Sequence, residues 1–148
     1  MKTHLEPKEV LHLKELGVEF ENTTLKWVRP NLNDMPDENR EEWARWQLSI
    51  SFTDDENICE ILPAPCLSEV LEKLPKYIIY DSKKFWQDVY YTNKQEWSIG
   101  YKNMEHLLGL YNDSLYKIIG LKYFYNSNPL QAAYELLCWC AENNYLEN

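Results

Sequence analysis

Asn128-Pro129-Leu130-Gln131-Ala132-Ala133-Tyr134-Glu135-Leu136-Leu137-Cys138-Trp139-Cys140-Ala141-Glu142-Asn143-Asn144 is the stretch on which the fold turns. Asn128 offers a side-chain oxygen to an orphan N–H at a helix start, and Pro129 suits the first helical position, where no N–H is needed. Leu130, Ala133, Tyr134, Leu137, Cys140 and Ala141 recur at three- and four-residue spacing, which predicts one buried face. Asn144 is a good left-handed stop. A helix of this kind must lie on another apolar surface, and the strands upstream are the candidates.

Trp97, Ile99 and Tyr101 alternate with Glu96, Ser98 and Gly100. With Phe85 to Thr92 they predict a hairpin turning at Asn93-Lys94. Trp46, Leu48, Ile50 and Phe52 alternate with Gln47, Ser49 and Ser51, predicting a half-buried strand. Thr53 to Asn57 supplies turn residues, and Ile58 to Leu62 is expected to return as its partner. Leu25 to Val28 reads as a strand stopped by Arg29-Pro30. Leu67, Val70, Leu71 and Leu74 form an amphipathic stripe bounded by Pro65 and Pro75. Pro7 to Leu16 reads as a short helix with Val10, Leu11 and Leu13–Leu16 on or near the buried side, ended by Gly17. Asn31 to Glu42 is an acidic connection, with a helical turn expected after Pro36. Met104 to Tyr125 fits two readings, helix then strand, or a hairpin turning at Asn112-Asp113. The order predicts an α+β fold: an antiparallel sheet of about four to five strands with helices packed mainly on one face.

Residues 1–148 carry no Gly/Ser- or Pro-rich linker and no internal repeat, so one domain is expected. The net charge is −9, from 15 Lys+Arg against 24 Asp+Glu. Phosphate-tracking surfaces need clustered cations, so conventional nucleic-acid binding is not expected. Met1 to Glu9 lacks the apolar core of a signal peptide, and no stretch has the apolar length that spans a bilayer. The expectation is a cytoplasmic protein with reduced cysteines and no membrane partner.

The segment Leu62-Pro63-Ala64-Pro65-Cys66-Leu67-Ser68-Glu69-Val70-Leu71-Glu72-Lys73-Leu74-Pro75, the strand Trp97-Ser98-Ile99-Gly100-Tyr101 and the helix from Asn128 to Leu146 together resemble a group of small proteins encoded by bacterial phages and prophages. Those carry P-A-P-T-L-x-E-L-L-x-W-L-P, W-x-I-x-Y and N-P-x-x-A-L-x-x-L-L-I-W-L-I-E-N-G-Y-L segments. About a third of the chain takes part, and the shared motifs are packing and capping signals. Cys66 stands where the group has Thr, Lys73 where it has Trp, and Cys138 and Cys140 where it has aliphatics. The resemblance implies a phage-related origin and a similar fold. It carries no activity and no functional residues to transfer.

Chemistry-bearing motifs are scarce. Cys138 and Cys140 lie two apart on a helix and so point about 200° from each other, unsuited to one ion. Cys59 and Cys66 lack zinc-knuckle spacing. His4, His12 and His106 are scattered, with no His-Glu-x-x-His pattern, and His12 is expected to face solvent. Asp54-Asp55-Glu56 and the acids from Asp34 to Glu42 lack calcium-loop spacing. Only 4 Gly are present, and none forms a phosphate-cradling run. No catalytic, metal or cofactor residues are therefore expected.

Aromatics are in surplus: 6 Trp, 11 Tyr and 4 Phe. Phe85, Val89 and Tyr91 fall on one side of their strand, and Trp86, Asp88 and Tyr90 on the other. Either both faces are covered or a Trp/Tyr patch stays outside, where it favours partner binding. Trp43, Trp86 and Tyr90 are the candidate interaction residues. The expected function is that of a non-enzymatic, phage-related accessory protein that binds another protein or itself. Two alternatives follow from other features: an acidic DNA mimic that inhibits a nucleic-acid-handling enzyme, and a hydrolase using dispersed residues such as His106, Cys66 or Glu69.

Overall fold

The computed structural model describes residues 1–30, 45–50, 59–106 and 116–146. Among them are three helices and seven strands, arranged as a three-stranded and a four-stranded antiparallel sheet, an α+β fold. The four-stranded sheet has the expected size; the three-stranded one is additional to it. The chain divides into two compact units, Lys2–Glu69 and Val70–Asn148, with Met1 grouped with the latter.

In Lys2–Glu69, helix α1 (Pro7–Glu15) buries Glu9, Val10 and Leu13, while Leu11, Lys14 and Glu15 are exposed, unlike the expectation. Glu9 is the third residue of the helix, and its carboxylate accepts the Glu6 N–H at 2.9 Å and pairs with Lys2, so the buried charge is neutralised. Gly17 takes φ 87°, the left-handed turn that ends the helix. Strand β1 (Leu25–Pro30) runs two residues past Val28 and is the centre of the sheet, flanked by β2 (Gln47–Ser49) and β3 (Cys59–Ala64). The strand from Trp46 was expected to pair with the one after Thr53–Asn57. Both pair with β1 instead, at Trp27↔Leu48 and Trp27↔Leu62. Local alternation identifies a strand but not its partner. Leu48 and Ile50 are exposed, so alternation here does not mark a core face. Arg29 bridges β1 and β3 by donating from Nε to Glu60 at 2.6 Å, and its guanidinium lies 4.3 Å from the Trp46 ring centre. Residues 51–58, with the expected turn, and 31–44, with Trp43 and the acidic connection, lie outside the described residues.

Helix α2 (Leu67–Lys73) starts where expected. Cys66 supplies no cap hydroxyl, but Glu69 reaches back: Oε1 accepts the Cys66 N–H at 3.0 Å, and Oε2 accepts the Thr24 N–H at 3.2 Å. That retains the reciprocal half of a capping box.

In Val70–Asn148, the sheet order is β4 (Tyr77–Tyr80), β5 (Lys83–Tyr91), β6 (Trp97–His106) and β7 (Tyr116–Asn126). Strand β4 was not anticipated. It is joined to β5 by Asp81 (φ 51°) and Ser82 (φ 63°), a two-residue turn of left-handed residues that matches the strands' twist. Tyr-Ile-Ile-Tyr followed by Asp-Ser was the signal, masked by the charged residues around it. The β5–β6 hairpin turns at Asn93-Lys94 as expected, with Thr92 N–H bonded to Glu96 O at 2.7 Å. From Met104 onward, strand pairing to His106 and again from Tyr116 matches the hairpin reading; Asn112-Asp113 lies outside the described residues.

Helix α3 (Pro129–Glu142) packs on β6 and β7. Asn128 Oδ1 accepts the Leu130 N–H at 3.0 Å, and Asn144 takes φ 60°. Leu130, Ala133, Leu137 and Cys140 are buried as expected, but Ala132 and Leu136 replace Tyr134 and Ala141 in the fully covered arc. Beneath them lie Ile99 and Tyr101, both wholly buried. The Tyr101 hydroxyl donates to the Pro75 carbonyl at 2.6 Å, tying β6 to the end of α2. Tyr101→Phe leaves that carbonyl without its partner and is expected to cost about 1–2 kcal/mol, read as a lower urea midpoint with unchanged slope.

Candidate interaction surface

Because side chains alternate, the residues opposite Phe85, Ile99 and Tyr101 form the outer face of the four-stranded sheet. The pairings Tyr77↔Trp86↔Lys102, Asp88↔Gly100↔Tyr123 and Tyr90↔Ser98↔Tyr125 bring three rows together there. Trp86 is 50% exposed and Tyr90 42%, and Tyr77, Ile79 and Tyr125 are exposed beside them. A bulge in β7 opposite Tyr101/Lys102 restores the alternation, so Met104 and Ile118, paired and exposed, extend the same face. Of the two sequence readings, both faces covered or a patch left outside, the exposure of Trp86 and Tyr90 matches the second. Trp43 is outside the described residues.

The face is ordered by its own contacts. Tyr77 and Trp86 rings lie 5.5 Å apart, and the Lys84 ammonium sits 3.9 Å from the first and 4.4 Å from the second. Tyr90 meets Tyr123 edge-on at 6.0 Å, and Tyr123 lies 6.4 Å from Tyr125. Tyr123 crosses the sheet above Gly100 and donates its hydroxyl to Asp88 Oδ2 at 3.0 Å; Lys102 holds the other oxygen at 3.1 Å. Burial, followed by the hydrogen bond to Asp88, pushes the Tyr123 hydroxyl well above its ordinary pKa. The hydrogen bond between Tyr125 and Tyr90 likewise raises the former. At the hairpin end, Tyr90, Tyr125, Thr92, Asn93, Lys94 and Glu96 border an open depression of about 620 Å³. Packed rings of fixed orientation, with few rotatable bonds, form a preorganised apolar contact surface.

The groups considered for chemistry are placed otherwise. Glu69 is occupied by two backbone N–H groups at the head of α2, beside Cys66, and His106 ends β6 in the other unit. His12 is exposed, as expected, 4.0 Å from Glu15. Cys140 is buried and Cys138 only partly so, as their angular separation requires. Among the described residues no group of three His, Cys, Asp or Glu side chains converges to hold a metal ion. Nor is any helix among them long and apolar enough to cross a membrane.

Burial pushes the Cys140 thiol up to about 12. A group whose pKa is raised on folding contributes stability that is complete below its unfolded value, near 9, and is lost as pH rises towards 12. Native protein is therefore expected to leave Cys140 unmodified by a thiol reagent at pH 8. Its melting temperature should fall above pH 9 less steeply in Cys140→Ala than in the parent.

No protein-family model, curated protein or solved structure matches this chain.

Proposed function

We propose that the chain is a non-enzymatic interaction module, a phage-related accessory protein whose working surface is the outer face of the β4–β7 sheet. The observation that carries this reading is the exposure of Trp86 and Tyr90 within one continuous face that also presents Tyr77, Ile79, Met104, Ile118 and Tyr125. Solvent-facing sheet surfaces are ordinarily polar, and contiguous apolar patches of several hundred Å² mark contact sites. Trp and Tyr are also the residues that most often dominate binding energy at such sites. The placement of Glu69 and Cys140 supports the non-enzymatic part, since one is a cap and the other a protonated core thiol.

The test uses a photoreactive residue in place of Trp86, compared with one in place of Glu72, which is exposed on α2. In cells producing the full chain, protein adducts are expected from position 86 and not from position 72. No adduct from position 86, or equal adducts from both, would overturn the assignment of this face.

A further inference from the structure

We infer that the partner of this face is a second copy of the same chain, docked sheet to sheet about a two-fold axis. The inference rests on the interaction reading above and adds the identity of the occupant.

Area comes first. Large side chains offer roughly 150–250 Å² each when fully open. The exposed apolar members of the face are about half open, so together they present on the order of 700–800 Å². That is about what one partner contributes to an interface of standard size. A small peptide or ligand would leave much of it wet.

Charge narrows the choice. Lys2–Glu69 holds 15 acidic against 7 basic side chains, whereas Val70–Asn148 holds 9 against 8. A basic partner selected by electrostatics would go to the first unit. The sheet belongs to the nearly neutral one, and its outer face carries Lys84 and Lys102 with Asp88. Two copies of a chain with net charge −9 repel, and the nearly neutral unit is where that repulsion is weakest: Lys102, level with Trp86 and so brought opposite its own counterpart, is already paired with Asp88 at 3.1 Å.

The pattern along β5 supplies the complement. Lys84, Trp86, Asp88 and Tyr90 follow one another on the outer face. A two-fold axis lying between the sheets and crossing β5 at Trp86 lays the two β5 strands antiparallel. Trp86 then stacks on its counterpart, and each Lys84 faces the Asp88 of the other copy, where Lys102 already holds one carboxylate oxygen. An isologous contact needs this property, a surface that reads as its own complement when reversed. Face-to-face sheets pack about 10 Å apart, the depth that Trp and Tyr side chains from both sides fill.

Sedimentation of the full chain decides the matter. A mass of twice 17.8 kDa is expected at about 100 μM, falling towards the single-chain value on dilution. Trp86→Glu and, separately, Lys84→Asp should sediment as monomers with the parent's circular dichroism, and should unfold cooperatively near the parent's melting temperature at the dilution where the parent is itself dissociated, since both positions are exposed. Trp86→Cys should form an inter-copy disulfide on mild oxidation and Glu72→Cys should not. A monomeric parent, a dimer that persists in Trp86→Glu, or equal disulfide yield at both positions overturns the inference. A monomeric parent that still gives adducts with another protein from position 86 removes the second copy and leaves the interaction module standing.

Discussion

Leu137→Asp is expected to abolish cooperative unfolding. Leu137 is wholly buried on the face of α3 that packs against β6 and β7. Removing a buried leucine side chain costs about 2–5 kcal/mol through lost transfer and the cavity left behind. A carboxylate in its place adds a desolvation cost of several kcal/mol, reduced but not removed if the group takes up a proton. The sum rivals the whole stability of an ordinary domain, about 5–15 kcal/mol. Circular dichroism during heating should show a broad drift without a transition, while Glu142→Gln at the exposed end of the helix melts like the parent. An unchanged melting curve for Leu137→Asp would refute the face assigned to α3.

Gly100→Ala is the second large effect, and it joins the fold to the surface. Gly100 is buried, and a methyl there would collide with the Lys122 carbonyl and lie 2.5 Å from Tyr123 Cδ1. Backbone on the neighbouring strand cannot swing aside as a flexible side chain does, so the β6–β7 pairing must open or Tyr123 must leave its place. Overpacking of this kind costs about 1–3 kcal/mol, and more where backbone is involved. Displacing Tyr123 also takes away the hydrogen bond to Asp88, which after burial is the largest cause that raises its pKa. Its hydroxyl stays protonated in the folded parent beyond the ordinary tyrosine range, so the stability it contributes is present below about pH 10 and declines above it. Alkaline titration of tyrosine absorbance should therefore show one hydroxyl moving back towards the ordinary value in Gly100→Ala. A substituted protein with parental stability and titration would mean that Tyr123 does not lie over Gly100.

The two changes also separate the layers. Leu137→Asp removes the support beneath the sheet, and Gly100→Ala disturbs the ring network above it. If the outer face is the interaction surface, a folded Gly100→Ala protein should lose adducts at position 86, because Tyr123 fixes Asp88 and meets Tyr90.

How much of this was legible in the chain follows from the range of each signal. Asn128, Pro129 and Asn144 act on backbone groups within a turn of themselves, so the limits of α3 could be read directly. The β5–β6 hairpin was legible for the same reason: its turn and both alternating strands are contiguous. Strand β4 was missed because four residues are too few for a period to show. The partner of β2 was misread because nothing local distinguishes β3 from β1. The candidate surface was half legible. Opposite faces for Trp86 and Phe85 follow from a two-residue period, but which of the two is buried does not.

By itself the sequence determined the helix limits, the hairpin turn, the α+β class and the presence of more aromatic side chains than one-sided strands could bury. These depend on capping, turn geometry and periodicity, which act over a few residues. Only the tertiary structure decided that the strands form two sheets, that β1 lies between β2 and β3, and that Trp86 and Tyr90 face solvent while Ile99 and Tyr101 lie under α3. Strand order and the choice of covered face depend on contacts between distant segments, whose free energies belong to pairs of elements and are written in neither one alone.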